Sequence, residues 1–158
     1  MAYWLICNSR AGDGERGRDF WLEHLASAGI RDLHCHDFEE ADWTDNLGAR
    51  DTVIVAGGDG SVNRAAAVCR ATGATLAILP SGTANDFARN LGLPDQPQAL
   101  CELIASGITQ TVDVADYGDG IFLNVAHIGM GTLPARESRG AEKKSSGVSA
   151  TVWNCCVG

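Results

Sequence analysis

Gly57-Gly58-Asp59-Gly60-Ser61 is the stretch of this 158-residue chain best suited to do chemistry. Three glycines and one carboxylate follow the apolar run Val53-Ile54-Val55-Ala56 and precede the helical pattern of Val62 and Ala65-Ala66-Ala67-Val68. That order predicts a buried strand, a loop bare of side chains and a helix N-terminus. Bare backbone N–H groups and the positive end of the helix dipole both favour an anion there, phosphate above all. The carboxylate of Asp59 is ill placed against naked phosphate, so its expected partner is a metal ion or a hydroxyl proton. The alternative for Asp59 is a turn residue that orders the loop. Ser61 reads either as a hydroxyl donor to phosphate or as a plain N-cap. The stretch reads as a nucleotide site of neither common kind. A P-loop ends in Gly-Lys-Ser/Thr, and no lysine lies near; a Rossmann fingerprint runs Gly-x-Gly-x-x-Gly.

A second unit of the same plan follows. Ala77-Ile78-Leu79-Pro80 leads into Ser81-Gly82-Thr83-Ala84-Asn85-Asp86-Phe87-Ala88-Arg89, again strand, loop and helix. Upstream, Trp4-Leu5-Ile6-Cys7 opens into Asn8-Ser9-Arg10-Ala11-Gly12. Together these segments resemble the diacylglycerol-kinase-type lipid kinases of bacteria. The Gly57–Gly60 run is similar to the glycine signature those enzymes share with sphingosine kinases, NAD kinases and, more distantly, phosphofructokinases. The Gly-Thr-Ala-Asn-Asp-Phe-Ala core looks like their second signature, which NAD kinases and phosphofructokinases do not carry. Asn8-Ser9-Arg10-Ala11-Gly12 resembles their first nucleotide loop, with Ser9 where proline is usual. Downstream, Asp113-Val114-Ala115 and Phe122-Leu123-Asn124-Val125-Ala126-His127-Ile128-Gly129-Met130-Gly131 match the strand pair and glycine turn that leave the nucleotide lobe. The resemblance runs in order over residues 1–140.

The elements that must position these loops alternate. Strands are expected at 3–7, 32–35, 52–56, 75–79, 110–115 and 121–126. Helices are expected around Phe20 to Leu25, from the Gly57–Gly60 loop to Thr72, from Asn85, and over 98–106. Such alternation gives an α/β fold of three layers, a parallel sheet with helices on both faces. Ligands in such folds bind beyond the carboxyl ends of the strands, where all three glycine loops fall. Trp4, Trp21 and Trp43 read as core packing. His24, His34, His36 and His127 have no motif around them and read as surface or strand residues.

Bulk properties narrow the partners. The length permits one domain burying roughly 70% of its unfolded surface. No apolar run approaches the ~20 residues of a membrane span. Met1-Ala2-Tyr3-Trp4-Leu5 enters a strand directly, without the basic region of an export signal, and the six scattered cysteines show no zinc or disulfide spacing. A reduced, cytoplasmic protein is the expectation. The net charge of −8 argues against nucleic acid as a partner. It is also unlike a surface drawn to anionic membranes, so membrane contact is expected elsewhere in a longer parent and to be transient. Ten of the 12 basic residues are arginine, and Arg10, Arg16, Arg18, Arg64 and Arg89 flank the loops.

What the resemblance implies is specific. ATP is the donor, Mg²⁺ neutralises its charge, and a lipid hydroxyl such as that of diacylglycerol accepts the phosphoryl group. Gly57, Gly58, Gly60 and Ser61 would cradle phosphates, with Asn63 bracing the loop or the ribose. Asn8, Ser9 and Gly12 would approach from the first loop. Gly82 and Thr83 would close the other side, with Asn85 and Asp86 contacting ligand or capping the third helix. Asp59 would ligate magnesium or accept the hydroxyl proton. The family commonly places a threonine after the second strand, where Cys35-His36-Asp37-Phe38 offers none.

The family continues through a Leu-Gly-x-Leu-x-Tyr linker into a β-rich domain thought to supply the general base. Residues 145–158 resemble nothing there. A nucleotide string encoding them, read two bases later, gives Leu-Gly-Arg-Leu-Ser-Tyr-Gly-Leu-Glu-Leu-Leu-Arg-Gly. Residues 141–158 are therefore expected to be a linker or a frameshifted tail, and the second domain to be lost. The alternative to a kinase is thus a fragment that binds nucleotide without transferring phosphate.

Overall fold

A computed structural model describes residues 1–9, 15–40, 42–116 and 120–123 in full, and 151–157 as backbone. Arg10, Gly12 and the glycine turn at 129–131 lie outside those residues, as does most of the tail. The strands are β1 (Tyr3–Cys7), β2 (Leu33–Asp37), β3 (Thr52–Gly57), β4 (Thr75–Pro80), β5 (Gln110–Asp116), β6 (Ile121–Phe122) and β7 (Thr151–Val157). The helices are α1 (Arg18–Ser27), α2 (Asp59–Thr72), α3 (Asp86–Asn90) and α4 (Pro97–Ser106), with a 3-10 helix at Asp42–Asn46.

All strands join one sheet in the order β2-β1-β3-β4-β7-β5-β6. The first four are parallel, as the alternation requires. β5 and β6 pair antiparallel, because a connection this short cannot carry the crossover that parallel neighbours need. The expected parallel sheet is thus formed by β1 to β4, and the strand pair that follows it is antiparallel. A second difference lies in the tail, where β7 pairs antiparallel with β5 from Gln110↔Val157 to Asp116↔Thr151 and touches β4 at Leu76↔Val157.

The period-2 pattern of the central strands sorts their side chains into two cores. Trp4, Ile6, Val53, Val55, Leu76 and Ile78 face α2, α3 and the 3-10 helix, where they meet Val62, Ala65, Cys69, Phe87 and Trp43. Leu5, Cys7, Ile54, Ala56, Ala77 and Leu79 face α1 and α4, meeting Trp21, Leu25, Leu100 and Ile104. The three tryptophans are buried as expected. A strand buried on both faces must read as a continuous apolar run, which is why β3 and β4 were legible from sequence.

Helix ends follow the chain's punctuation. α2 closes on Gly73 and α4 on Gly107, at φ 79° and 68°, the left-handed C-terminal cap that glycine adopts without a Cβ penalty. Pro97 opens α4, where its missing N–H is one the helix would leave unpaired anyway.

Candidate functional site

The parallel ladder does not stop at the strand ends. Phe38 N–H donates to the Cys7 carbonyl (2.8 Å), Asn8 N–H to Ala56 (3.0 Å), and Ser81 N–H to Gly57 (3.1 Å). These bonds bring the loops after β1, β2, β3 and β4 out at one level on the carboxyl edge of the sheet. The three signature loops then knit together through side chains. Asn8 Nδ2 donates to Ser61 Oγ (2.7 Å), tying the first loop to the glycine loop. The Trp21 indole N–H donates to Ser81 Oγ (2.9 Å), tying α1 to the third loop.

The second and third loops meet glycine to glycine. A Cβ added to Gly82 would lie 2.6 Å from the Gly58 Cα, closer than real Cβ contacts come. One added to Gly57 would lie 2.7 Å from the Ser61 Cβ. These are packing requirements for glycine, since neither residue has a positive φ. Gly60 differs, with nothing within 4 Å of an added Cβ. Its freedom leaves its backbone bare on the open side of the loop.

Gly58 caps α2 in an extended conformation (φ −90°, ψ −177°), and among the described residues no side chain caps the first turn. The first-turn N–H groups of a 14-residue helix therefore meet a cavity of about 360 Å³ lined by Asn8, Phe38, Gly58, Gly60, Ser61, Arg64 and Gly82. On the other side of the third loop, Thr83, Gly82 and Asn85 line a second cavity of about 450 Å³ with Arg16 and Glu15. A third, of about 260 Å³, opens at the end of β1 between Asn8, Ser9, Arg16, Arg18 and Asp37. Cys7 also lines it, but burial and then the neighbouring Cys35 push its thiol up to about 11. A thiol protonated throughout the neutral range is no nucleophile.

Four expected site residues thus share one cavity with Asn8, namely Gly58, Gly60, Ser61 and Gly82, while Gly57 packs against Ser61 outside that lining. Ser9 and Thr83 stand on the flanking cavities, and Gly12 lies outside the described residues. Three others have work that sequence only half revealed. Asp59 is expected at a metal or a hydroxyl proton, yet its Oδ2 accepts the Asp86 N–H (3.1 Å) and its Oδ1 the Phe87 N–H (3.0 Å). Asp59 thus caps α3, a neighbouring helix. Asn63 Nδ2 donates to the Ile121 carbonyl (2.8 Å), bracing α2 against β6 rather than against the glycine loop. Asn85 sits at φ 50° and folds back on Gly82, accepting from its N–H (3.0 Å) and donating to its carbonyl (2.7 Å). Asp86 pairs with Arg89 on its own helix.

Sequence reasoning missed Phe38 as a cavity wall and Ser81 as an anchor. Phe38 sits alone among acidic residues, so periodicity could not assign it. The position of Ser81 directly after a buried strand was the available signal for an anchoring role. For a cation, the described residues offer His36, Glu40 and Asp42 with ligand atoms within 4.8 Å of one another. His36 Nδ1 lies 3.0 Å from Glu40 Oε2, a pairing that needs no ion.

A helix N-terminus over a glycine cradle offers N–H groups and a positive dipole end to an anion. Residues 2–117 match the diacylglycerol kinase catalytic domain. The chain belongs to that family. A protein of Synechocystis named "Uncharacterized protein sll0036" is 35% identical over 167 residues, covering 94% of this chain and 38% of its own length. A Citrobacter koseri protein named "Probable lipid kinase YegS-like" is 37% identical over 146 residues, covering 85% and 48%. The solved structure of a diacylglycerol kinase from Bacillus anthracis superposes with a TM-score of 0.63 at 30% identity, covering 86% of this chain and 52% of that one. The chain thus spans about half or less of the length of these relatives. Among the described residues, no helix is long and apolar enough to cross a membrane.

Proposed function

We propose that this chain is the nucleotide-binding lobe of an ATP-dependent lipid kinase, residues 1–140 holding the phosphoryl donor. One observation carries the reading: the N-terminus of α2, uncapped among the described residues, opens onto a cradle where Gly82 packs on Gly58 too closely for a side chain at position 82. Phosphoryl transfer asks mainly for positioning and charge stabilisation. Backbone N–H groups held by a rigid glycine contact supply the positioning. The Asn8–Ser61 bond holds the hydroxyl of Ser61 at the floor of the cavity.

The residues fit a metal that arrives with the nucleotide better than a metal cage of protein ligands. Mg²⁺ keeps waters and binds through phosphates with one or two carboxylates. Asp59 is the carboxylate at the glycine loop, and both its oxygens already accept N–H groups. Mg²⁺ would neutralise phosphate charge there, with Asp59 as its protein contact. Hydroxyl activation is assigned to residues outside this lobe, and the acceptor is a lipid alcohol of the diacylglycerol kind. With a net charge of −8, this lobe is not the membrane-facing part.

The test is labelled-phosphate transfer from ATP to diacylglycerol in detergent micelles, run beside a thermal shift with MgATP. A shift with transfer supports the kinase. A shift without transfer makes this polypeptide a nucleotide-binding lobe that does not act alone. No shift with ATP, ADP or GTP overturns the reading.

A further inference from the structure

Arg64 is the residue of the cavity whose placement the glycine cradle does not explain. It lies in the second turn of α2, and helical side chains lean toward the N-terminus of their own helix. The guanidinium therefore reaches back over the glycine loop, where it lines the 360 Å³ cavity beside Gly58, Gly60 and Ser61. Its Cζ sits 4.5 Å from the centroid of the Phe38 ring. Phe38 is 4% exposed and packs beside Trp43, so the ring under the guanidinium belongs to the core. Stacking uses the face of the guanidinium and leaves its N–H edge free.

Arg64 is exposed, and its charge faces an end of the helix that favours an anion over a cation. A cation near the N-terminus of a helix opposes the dipole. Arg70 has Asp116 and Arg89 has Asp86, whereas among the described residues no carboxylate pairs with Arg64. Asp59, the nearest acidic group in sequence, is engaged with α3. The site also has no lysine of the kind a P-loop uses.

We infer that Arg64, stacked on Phe38, is the cationic clamp for the phosphate tail of the donor nucleotide. Its N–H edge would hold two phosphate oxygens while the first-turn amides of α2 hold the others. The inference rests on the nucleotide reading above and adds the residue that discriminates charged from uncharged ligands.

The experiment is calorimetric titration of the full chain with ATP, with inorganic tripolyphosphate and with adenosine, each in Mg²⁺. Arg64→Gln is expected to weaken ATP and tripolyphosphate by about tenfold to a hundredfold, the range for a charge-assisted bond, and to leave adenosine unchanged. Arg64→Lys keeps the charge without the planar fork and is expected to lose several-fold; it carries the test if Arg64→Gln melts early. Wild-type affinity for ATP in Arg64→Gln overturns the inference alone, as does equal weakening of ATP and adenosine. A wild-type chain that binds neither ATP nor tripolyphosphate overturns the nucleotide reading as well.

Discussion

Two strand–loop–helix units sit side by side on the sheet edge and end in opposite electrostatic states. In the first, β3 leads through Gly57 and Gly58 into α2, whose opening turn has no side-chain cap. In the second, β4 leads through Ser81 and Gly82 into α3, whose first two N–H groups both donate to Asp59. One unit leaves its helix N-terminus without a side-chain cap among the described residues. The other has its N-terminus satisfied from within the protein, by the carboxylate at the head of the first. The pair is the proposed receptor and its brace, and Gly58 and Gly82 bring the two loops into close backbone contact. Similar local sequence therefore does not imply similar function; the difference lies in where one carboxylate points.

The comparison breaks most sharply at the glycine contact. Gly82→Ala is expected to cost about 3 kcal/mol in urea denaturation, the upper end for overpacking against backbone, and to abolish any thermal shift with MgATP. A loss under half a kcal/mol would show that the loops can part at little cost. Next comes the brace itself. Asp59→Ala should cost about 1–2 kcal/mol by uncapping α3, and Asp59→Asn less, since one oxygen still accepts. Transfer assays sharpen the point: Asp59→Asn that melts like wild type yet transfers nothing would separate the metal or proton chemistry of Asp59 from its bracing of α3. Asn8→Ala, which removes the bond to Ser61, is expected to cost about 1 kcal/mol; a melt unchanged from wild type would mean the first loop does not hold the receptor. The smallest effect is of opposite sign. Gly60→Ala places a methyl in open space within a helix and should stabilise by about 0.5–1 kcal/mol. It should still weaken ATP, because that methyl projects beside the cavity Gly60 lines.

Much of this was legible in the chain. The buried runs of β3 and β4 were plain because strands covered on both faces admit only apolar residues. The loop glycines were plain because nothing else follows such a strand and opens a helix so bare. Less legible were residues whose partners are remote in sequence. Nothing local to Asp59 names Asp86 and Phe87, and nothing local to Asn63 names Ile121. The 3-10 helix at Asp42–Asn46 was missed because one buried aromatic, Trp43, anchors an otherwise polar segment.

Sequence by itself determined the alternating α/β order, the faces of the central strands and the position of the glycine loops. Each of these follows from local rules: side-chain period, glycine punctuation and the dipole of a helix that starts where a strand ends. Tertiary structure alone decided the division of labour in the site. Hydrogen bonds from Asp59, Asn63 and Asn8 span 27 to 58 positions, and their direction is set by how strands and helices dock. A carboxylate has the same chemistry at any address; only the folded sheet edge brought it to the end of a second helix.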